Sequence, residues 1–405
     1  MTASAGNPSR KKPAAVDMTG PRLPIYLDYQ ATTPVDPRVM EVMLPFFTEK
    51  FGNPHAVGHR FGWEAEEALN LAREQVAAVI GATAREIVFT SGATESCNLA
   101  IKGAARFHAQ EGGKKRHIIT LATEHKCVLA SYEDMNKEGF EISILPVTSD
   151  GLVDLELLEK TLRDDTLLVS VMAVNNEIGV IQPLAEIGVL CRARGVLFHT
   201  DAAQGFGKIP LDVEAMNIDL LSISGHKIYA PKGIGALYVR RRPRVRLLPL
   251  LSGGVQEWGM RPGTAPVPLV VALGKAAEIA AQEMESEQAR LSGLRNSFWQ
   301  SVQEECPHVL LNGSLEQRIG GNLNLSFPGI AEDKMVLALR DLAVSTGSAC
   351  NSASLAPSYV IQALGRDAAT AKTTVRFGFG RFTTPEETDY AARLVIEKLR
   401  VLKAA

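Results

Sequence analysis

The run Leu220-Leu221-Ser222-Ile223-Ser224-Gly225-His226-Lys227, taken with Val196-Leu197-Phe198-His199-Thr200-Asp201-Ala202-Ala203-Gln204, decides the fold. Each run opens apolar and ends in small or polar residues. That is the pattern of a short strand buried on both faces of a sheet. Working outward, strands are expected over residues 86–90, 117–121, 141–147, 167–174, 196–199, 220–223 and 234–239. Helical spacing falls between them, over 36–47, 63–80, 94–107, 126–138, 154–162 and 184–194. This alternation predicts an α/β fold with a mostly parallel sheet flanked by helices. In such sheets ligands sit at the carboxyl ends of strands. Ser91, His125, Asn176, Asp201 and Ser224 all fall just past an expected strand end.

The rest of the chain divides by composition. Residues 1–22 read as a disordered arm, rich in Ala, Ser and Pro, with a basic patch at Arg10-Lys11-Lys12. Residues 23–280 are expected to form a large domain. Residues 281–405 are expected to form a smaller α+β domain with strands over 319–327 and 374–378 and a closing helix over 385–402. A long charged helix over 269–303 joins them.

Of the 405 residues, 46% are hydrophobic and 22% charged, and the net charge is −2. Those values suit a soluble globular enzyme and give no electrostatic footprint for nucleic acid. No apolar run is long enough to span a membrane. The five cysteines are odd in number and form no C-x-x-C, so neither a disulfide framework nor a zinc site is expected, and a reducing compartment is favoured. The expected location is the cytoplasm, with the mitochondrial matrix as the alternative. Neither G-x-G-x-x-G after a strand nor a Walker-type G-K-[ST] occurs, which disfavours a nucleotide site.

The two opening runs carry the chemistry. Lys227 offers an amine for a Schiff base, and Asp201 offers a carboxylate that keeps a pyridine nitrogen protonated. Together they suit pyridoxal phosphate (PLP). Ser224 and the turn after it offer a hydroxyl and N–H groups to its phosphate. Ser91-Gly92-Ala93-Thr94 reads either as a second phosphate-binding turn or as an ordinary N-cap. His125 suits stacking on the cofactor ring and proton transfer, or a structural role. Asn176 suits a hydrogen bond to the cofactor phenolic oxygen or a substrate carboxylate, or plain turn stabilisation. Arg376 suits a carboxylate fork or a surface ion pair. Cys350, in Ser345-Thr346-Gly347-Ser348-Ala349-Cys350-Asn351-Ser352, lies among small polar residues. That setting favours an ionisable, accessible thiol over a core cysteine.

These motifs, with Asp28-Tyr29-Gln30-Ala31-Thr32-Thr33-Pro34, Thr123-Glu124-His125-Lys126, Asn175-Asn176-Glu177-Ile178-Gly179 and Arg376-Phe377-Gly378, resemble the cysteine desulfurases of the NifS/IscS type over residues 24–400. The resemblance implies a type I PLP-dependent transferase fold and a homodimer. It implies conversion of L-cysteine to L-alanine with a persulfide on Cys350. The sulfur would pass to an iron–sulfur scaffold protein or another acceptor, with tRNA thiolation a second destination. Lys227 would carry the cofactor and move the α-proton. His125 would stack on the ring, Asp201 would pair with the pyridinium, and Gln204 and Asn176 would flank the phenolic oxygen. Ala93, Thr94, Ser224 and His226 would hold the phosphate, joined by Thr264 from the neighbouring subunit. Arg376, with Asn176, would bind the substrate carboxylate. This chain departs from the family at Cys97, where a polar residue is usual, and at Val255, Trp258 and Pro262. The alternatives are a selenocysteine lyase, another aminotransferase-like PLP enzyme, and a non-catalytic sulfur carrier. Cys350 argues against an aminotransferase, and Lys227 with Cys350 argues against the carrier.

Overall fold

The computed structural model describes residues 21–346 and 356–404. The expected N-terminal arm lies outside that range, apart from its last two residues, and so does Cys350. At the centre is a seven-stranded sheet in the spatial order Ile87–Thr90, Gly235–Val239, Leu220–Ser224, Leu197–Asp201, Thr166–Ser170, His117–Leu121, Glu141–Leu145. Gly235–Val239 runs antiparallel to both its neighbours, and the remaining pairings are parallel.

Alternate strand residues feed two separate cores, as a period of two requires. Ile119, Val169, Phe198 and Leu221 face one cluster, with Val76 of the Arg60–Ala78 helix and Leu273 of the long helix. Ile118, Leu168, Leu220 and Leu237 face the other, with Leu99 and Ile101 of Ala93–Gln110 and Val128 of Lys126–Lys137. Apolar contact on both faces explains why these strands read as continuous hydrophobic runs.

The long helix, Val267–Glu305, joins two cores. Val270, Leu273, Ala276 and Ile279 pack against the sheet. Leu291, Phe298 and Val302 pack into a separate cluster with Leu323, Phe377 and Val395. A four-stranded sheet backs that cluster, with Thr374–Gly378 paired antiparallel to Asn322–Ser326 and to Ser345–Thr346. The chain's beginning also belongs there. Ile25–Tyr26 pairs with Leu342–Ala343, and Ile25 and Leu27 are buried in the C-terminal cluster.

Two local expectations change. The helix expected over 36–47 is two helices, Pro37–Met43 and Pro45–Thr48, because Pro45 has no N–H to continue the first. The strand expected over 167–174 ends at Ser170, although Val171 and Ala173 still donate to the carbonyls of His199 and Asp201. The connection from Asp201 to Leu220 contains turns and no helix.

The C-terminal sheet is tied to the large sheet by Arg381. Its guanidinium pairs with Asp36 at 2.7 Å and with Glu287 at 2.8 Å, and lies 4.2 Å from the Tyr229 ring centroid. Tyr229 is two residues beyond Lys227, so Arg381, five residues beyond Arg376, packs on a residue close in sequence to the lysine turn.

Candidate active site

A cavity of about 620 Å³ opens at the carboxyl ends of the parallel strands. Lys227, His125, Asn176, Asp201, Gln204, Ser224, His226, Ala93, Thr94 and Arg376 all line it. Thr264 does not. It is exposed, in the loop before the long helix.

Each side chain reaches the cavity for a local reason. Asp201 and Ser224 end adjacent parallel strands, with Asp201 in register with Ser222. The chain then turns in a short 3-10 helix, Gly225–Lys227, which swings the lysine back over the strand end. Lys227 Nζ donates to the carbonyls of Gln30 at 2.5 Å and Ala31 at 2.7 Å. His125 caps the Lys126–Lys137 helix, its ring accepting from the Cys127 amide at 3.2 Å. Gly92 begins the Ala93–Gln110 helix at φ 150°. A Cβ on the facing Gly235 would lie 2.6 Å from Gly92 Cα, so Gly235 must be glycine for the backbones to approach, while Gly92 is favoured by its φ. The amides of the helix start therefore face the cavity beside Thr94.

Burial sets the electrostatics. Asp201 is buried, which pushes its carboxyl above its ordinary value, while His125 and the Ala203 N–H oppose the rise. A cationic ring nitrogen beside it would relieve that cost. Burial and Lys227 push His226 down to about 4, so it meets an anion as a neutral donor. Hydrogen bonding to Cys127 pushes His125 up. Gln204 donates to the Gln30 carbonyl at 2.8 Å. Glu124 immediately precedes His125. It is fully buried, one oxygen accepting from the Met172 amide at 2.6 Å, and burial pushes it well up.

On the opposite wall, Arg376 donates to Asp28 at 2.6 Å, to Ser345 at 2.9 Å and to the Asn176 carbonyl at 2.8 Å. Among the described residues, Arg376 Nε and Asn176 Oδ1 are buried without a hydrogen-bond partner. Orphaned buried polar atoms are costly, and two at one wall mark a place where a polar ligand completes them.

PLP fits this donor set. Lys227 is the amine, Asp201 the carboxylate, and the Gly92–Thr94 turn with Ser224 and His226 the phosphate cradle. Sequence reasoning missed Asp28, Ser345, Met172, Cys127 and Lys232 in the lining. Asp28 opens a quoted motif, which was its only signal. Met172 and Lys232 carried none.

The aminotransferase class-V family model matches residues 25–390, and the chain belongs to that family. Within it, the chain is 59% identical over 381 residues to the cysteine desulfurase IscS of Rickettsia bellii, covering 94% of this chain and 92% of that one. It is 60% identical over 381 residues to the cysteine desulfurase IscS of Rickettsia prowazekii, with the same coverage. Among solved structures it resembles a NifS-like protein at TM-score 0.86 and 37% identity, over 93% of this chain and all of that one. It also resembles SspA in complex with cysteine at TM-score 0.77 and 39% identity, over 89% of this chain and all of that one. The fold is that of the type I PLP-dependent transferases, and the activity is desulfuration of L-cysteine with PLP as cofactor. Among the described residues, no helix is long and apolar enough to cross a membrane.

Proposed function

We propose that Lys227, Asp201, His125, Arg376 and Cys350 divide the desulfurase reaction as follows. One observation carries the reading: the amine, the buried carboxylate and the two orphaned polar atoms at Arg376 and Asn176 share one cavity. When bound, PLP supplies an aldehyde for exchange with amines and a protonated ring that accepts electrons. Asp201 holds the proton on the ring nitrogen, and His125 covers the ring face. Thr94, Ser224, His226 and the helix-start amides bind the phosphate, with Ala93 in the same turn. Gln204 and Asn176 flank the phenolic oxygen. Arg376 Nε and the side-chain amide N–H of Asn176 donate to the carboxylate of L-cysteine and orient it. Lys227 Nζ takes the α-proton and returns protons to carbon. The Cys350 thiolate takes the substrate sulfur: the Cβ–Sγ bond of cysteine breaks, an S–S bond forms on Cys350, and the carbon skeleton leaves as alanine.

The persulfide then passes to an acceptor, for which an iron–sulfur scaffold protein fits the relatives' chemistry, in the cytoplasm. A homodimer is supported by the exposed apolar residues Phe51, Phe61 and Trp63 and by Thr264, which is exposed and outside the lining of its own subunit's cavity. Light scattering at one-chain mass with full activity would refute it. The reaction itself is tested by mass spectrometry after incubation with L-cysteine, with alanine assayed in parallel. The expected result is one added sulfur, about 32 Da, on the Cys350 peptide with alanine released. Alanine or pyruvate without that adduct would remove Cys350 from the mechanism.

A further inference from the structure

Beneath the cavity, Cys97, Cys127 and Asp201 bring their sulfur and carboxylate atoms within 4.8 Å of one another. Cys97 lies on the helix Ala93–Gln110, and Cys127 in the first turn of Lys126–Lys137. Cys127 lines the cavity, whereas Cys97 is fully buried behind it. The four groups form a chain. His125 Nδ1 lies 3.0 Å from Cys127 Sγ, and the Cys127 and Cys97 sulfurs and an Asp201 carboxylate oxygen lie within 4.8 Å of one another. Nothing in the reaction derived above uses either thiol.

We propose that Cys97 and Cys127 are a redox modification site built into the floor of the cofactor cavity, where a small hydroperoxide converts the pair to a disulfide and loosens the grip on the cofactor. The pair divides the work by exposure and ionisation. The Cys97 hydrogen bond and His125 draw the Cys127 thiol down to about 6, and its place in a helix first turn favours the same charge. Burial and the neighbouring thiolate hold Cys97 protonated. Cys127 is therefore the attacking thiolate, reachable through the cavity, and Cys97 the resolving thiol. In the first step Cys127 attacks the hydroperoxide. The O–O bond breaks, the sulfur becomes a sulfenic acid, and the alcohol or water leaves with one added proton. In the second step Cys97 attacks that sulfur. The S–S bond forms and water leaves, carrying the Cys97 proton. The hydroperoxide is reduced by two electrons and the two thiols are oxidised by two.

The disulfide removes the Cys97 thiol proton beside the Asp201 carboxylate and the Cys127 thiol beside His125. Disulfide formation stands apart from the roles proposed for those two residues, and only the loss of cofactor rests on them. The test uses PLP-loaded Cys350→Ala protein, which lacks the other reactive thiol, treated with one equivalent of hydrogen peroxide. Free thiols are then alkylated, and tryptic peptides 86–102 and 127–137 are mapped. The expected result is a linked pair about 2 Da lighter than the two thiol peptides, reversed by dithiothreitol and absent when Cys97→Ser is added. PLP affinity, followed by its visible absorbance on dilution, should fall about tenfold with the disulfide, the effect of one lost charge-assisted hydrogen bond. In the Cys97→Ser background the same oxidant should leave that affinity unchanged. Recovery of both cysteines as alkylated thiols would overturn the site. So would sulfinic acid on Cys127 with Cys97 still a thiol. A disulfide that leaves PLP affinity unmoved would overturn its effect on the cofactor.

Discussion

Arg376 and Asp28 lie 348 positions apart in the chain and meet at 2.6 Å on the wall of the cavity. Both side chains are largely buried, at 8% and 19% exposure, so their charges are weakly screened. The pairing anchors one arm of the guanidinium and leaves Arg376 Nε without a partner among the described residues. The Ile25–Tyr26 strand and the Asp28–Gly378 bridge hold Asp28 beside the Thr374–Gly378 strand. The arginine is thereby aimed before any substrate arrives, which lowers the ordering cost of binding.

Arg376→Gln should raise KM for L-cysteine by about tenfold to a hundredfold, the effect of losing a charged hydrogen bond, while PLP absorbance stays normal. Steady-state kinetics with a cofactor spectrum checks this. An unchanged KM would move the carboxylate site elsewhere.

Lys227→Ala should reduce alanine formation by at least about a thousandfold, because Lys227, at the turn beside Ser224 and Asp201, is the amine proposed to carry the cofactor and move the α-proton. Alanine assay on the purified variant decides it, and substantial turnover would sink the assignment. Lys208 offers a useful contrast. Burial pushes it down to about 7, yet it hydrogen-bonds Gln204 and does not line the cavity.

Cys350→Ala should keep bound PLP and form no persulfide. Peptide mapping after L-cysteine treatment reads both halves. A persulfide found on Cys127 would overturn the choice of nucleophile, since that thiol also lines the cavity.

His199 should make the fold acid-sensitive. Its ring lies fully buried between Ser170 and Ser222, at 2.7 and 2.9 Å, and burial pushes it down to about 3. The unfolded chain takes up this proton near pH 6.5, so the unfolded state binds more protons as pH falls. The contribution is complete above pH 6.5 and is lost progressively as pH drops from there through about 3. Denaturant midpoints should therefore fall over that window, by on the order of a few kcal/mol in stability. His199→Gln should flatten the slope, and an identical slope in both proteins would contradict the linkage.

Glu257→Gln should destabilise the protein by about 3–5 kcal/mol, the usual effect of stranding one member of a buried ion pair. Arg73 pairs with Glu257 at 2.7 Å, both under 10% exposed, and lies 4.6 and 4.7 Å from the Phe89 and Trp258 rings. The Glu257 carboxylate also accepts from the Phe89 amide. Trp258, one of this chain's departures, thus closes a stack that holds the loop leading to Thr264. A loss below about 1 kcal/mol in denaturant unfolding would show that water reaches the pair.

Much of the site was legible because it depends on local pattern. Strand ends are marked where apolar runs give way to Ser, Gly or Asp, and parallel strands bring those ends to one edge. Lys227, Asp201, Ser224, His125 and Thr94 were placed that way. The same local reading failed where a proline or the sheet's own hydrogen bonding decided an element's end, as at Pro45 and Ser170.

The amino-acid pattern by itself determined the two-faced sheet, its flanking helices and the residues at its carboxyl edge. Periodicity and turn chemistry act between near neighbours in the chain. Only the tertiary structure decided which distant side chains meet. It set Asp28 against Arg376 and Glu257 against Arg73, and it brought Cys97 of one helix to Cys127 of the next, beneath Asp201. Those pairings depend on strand order, helix packing and burial, and burial then sets the charge each group carries.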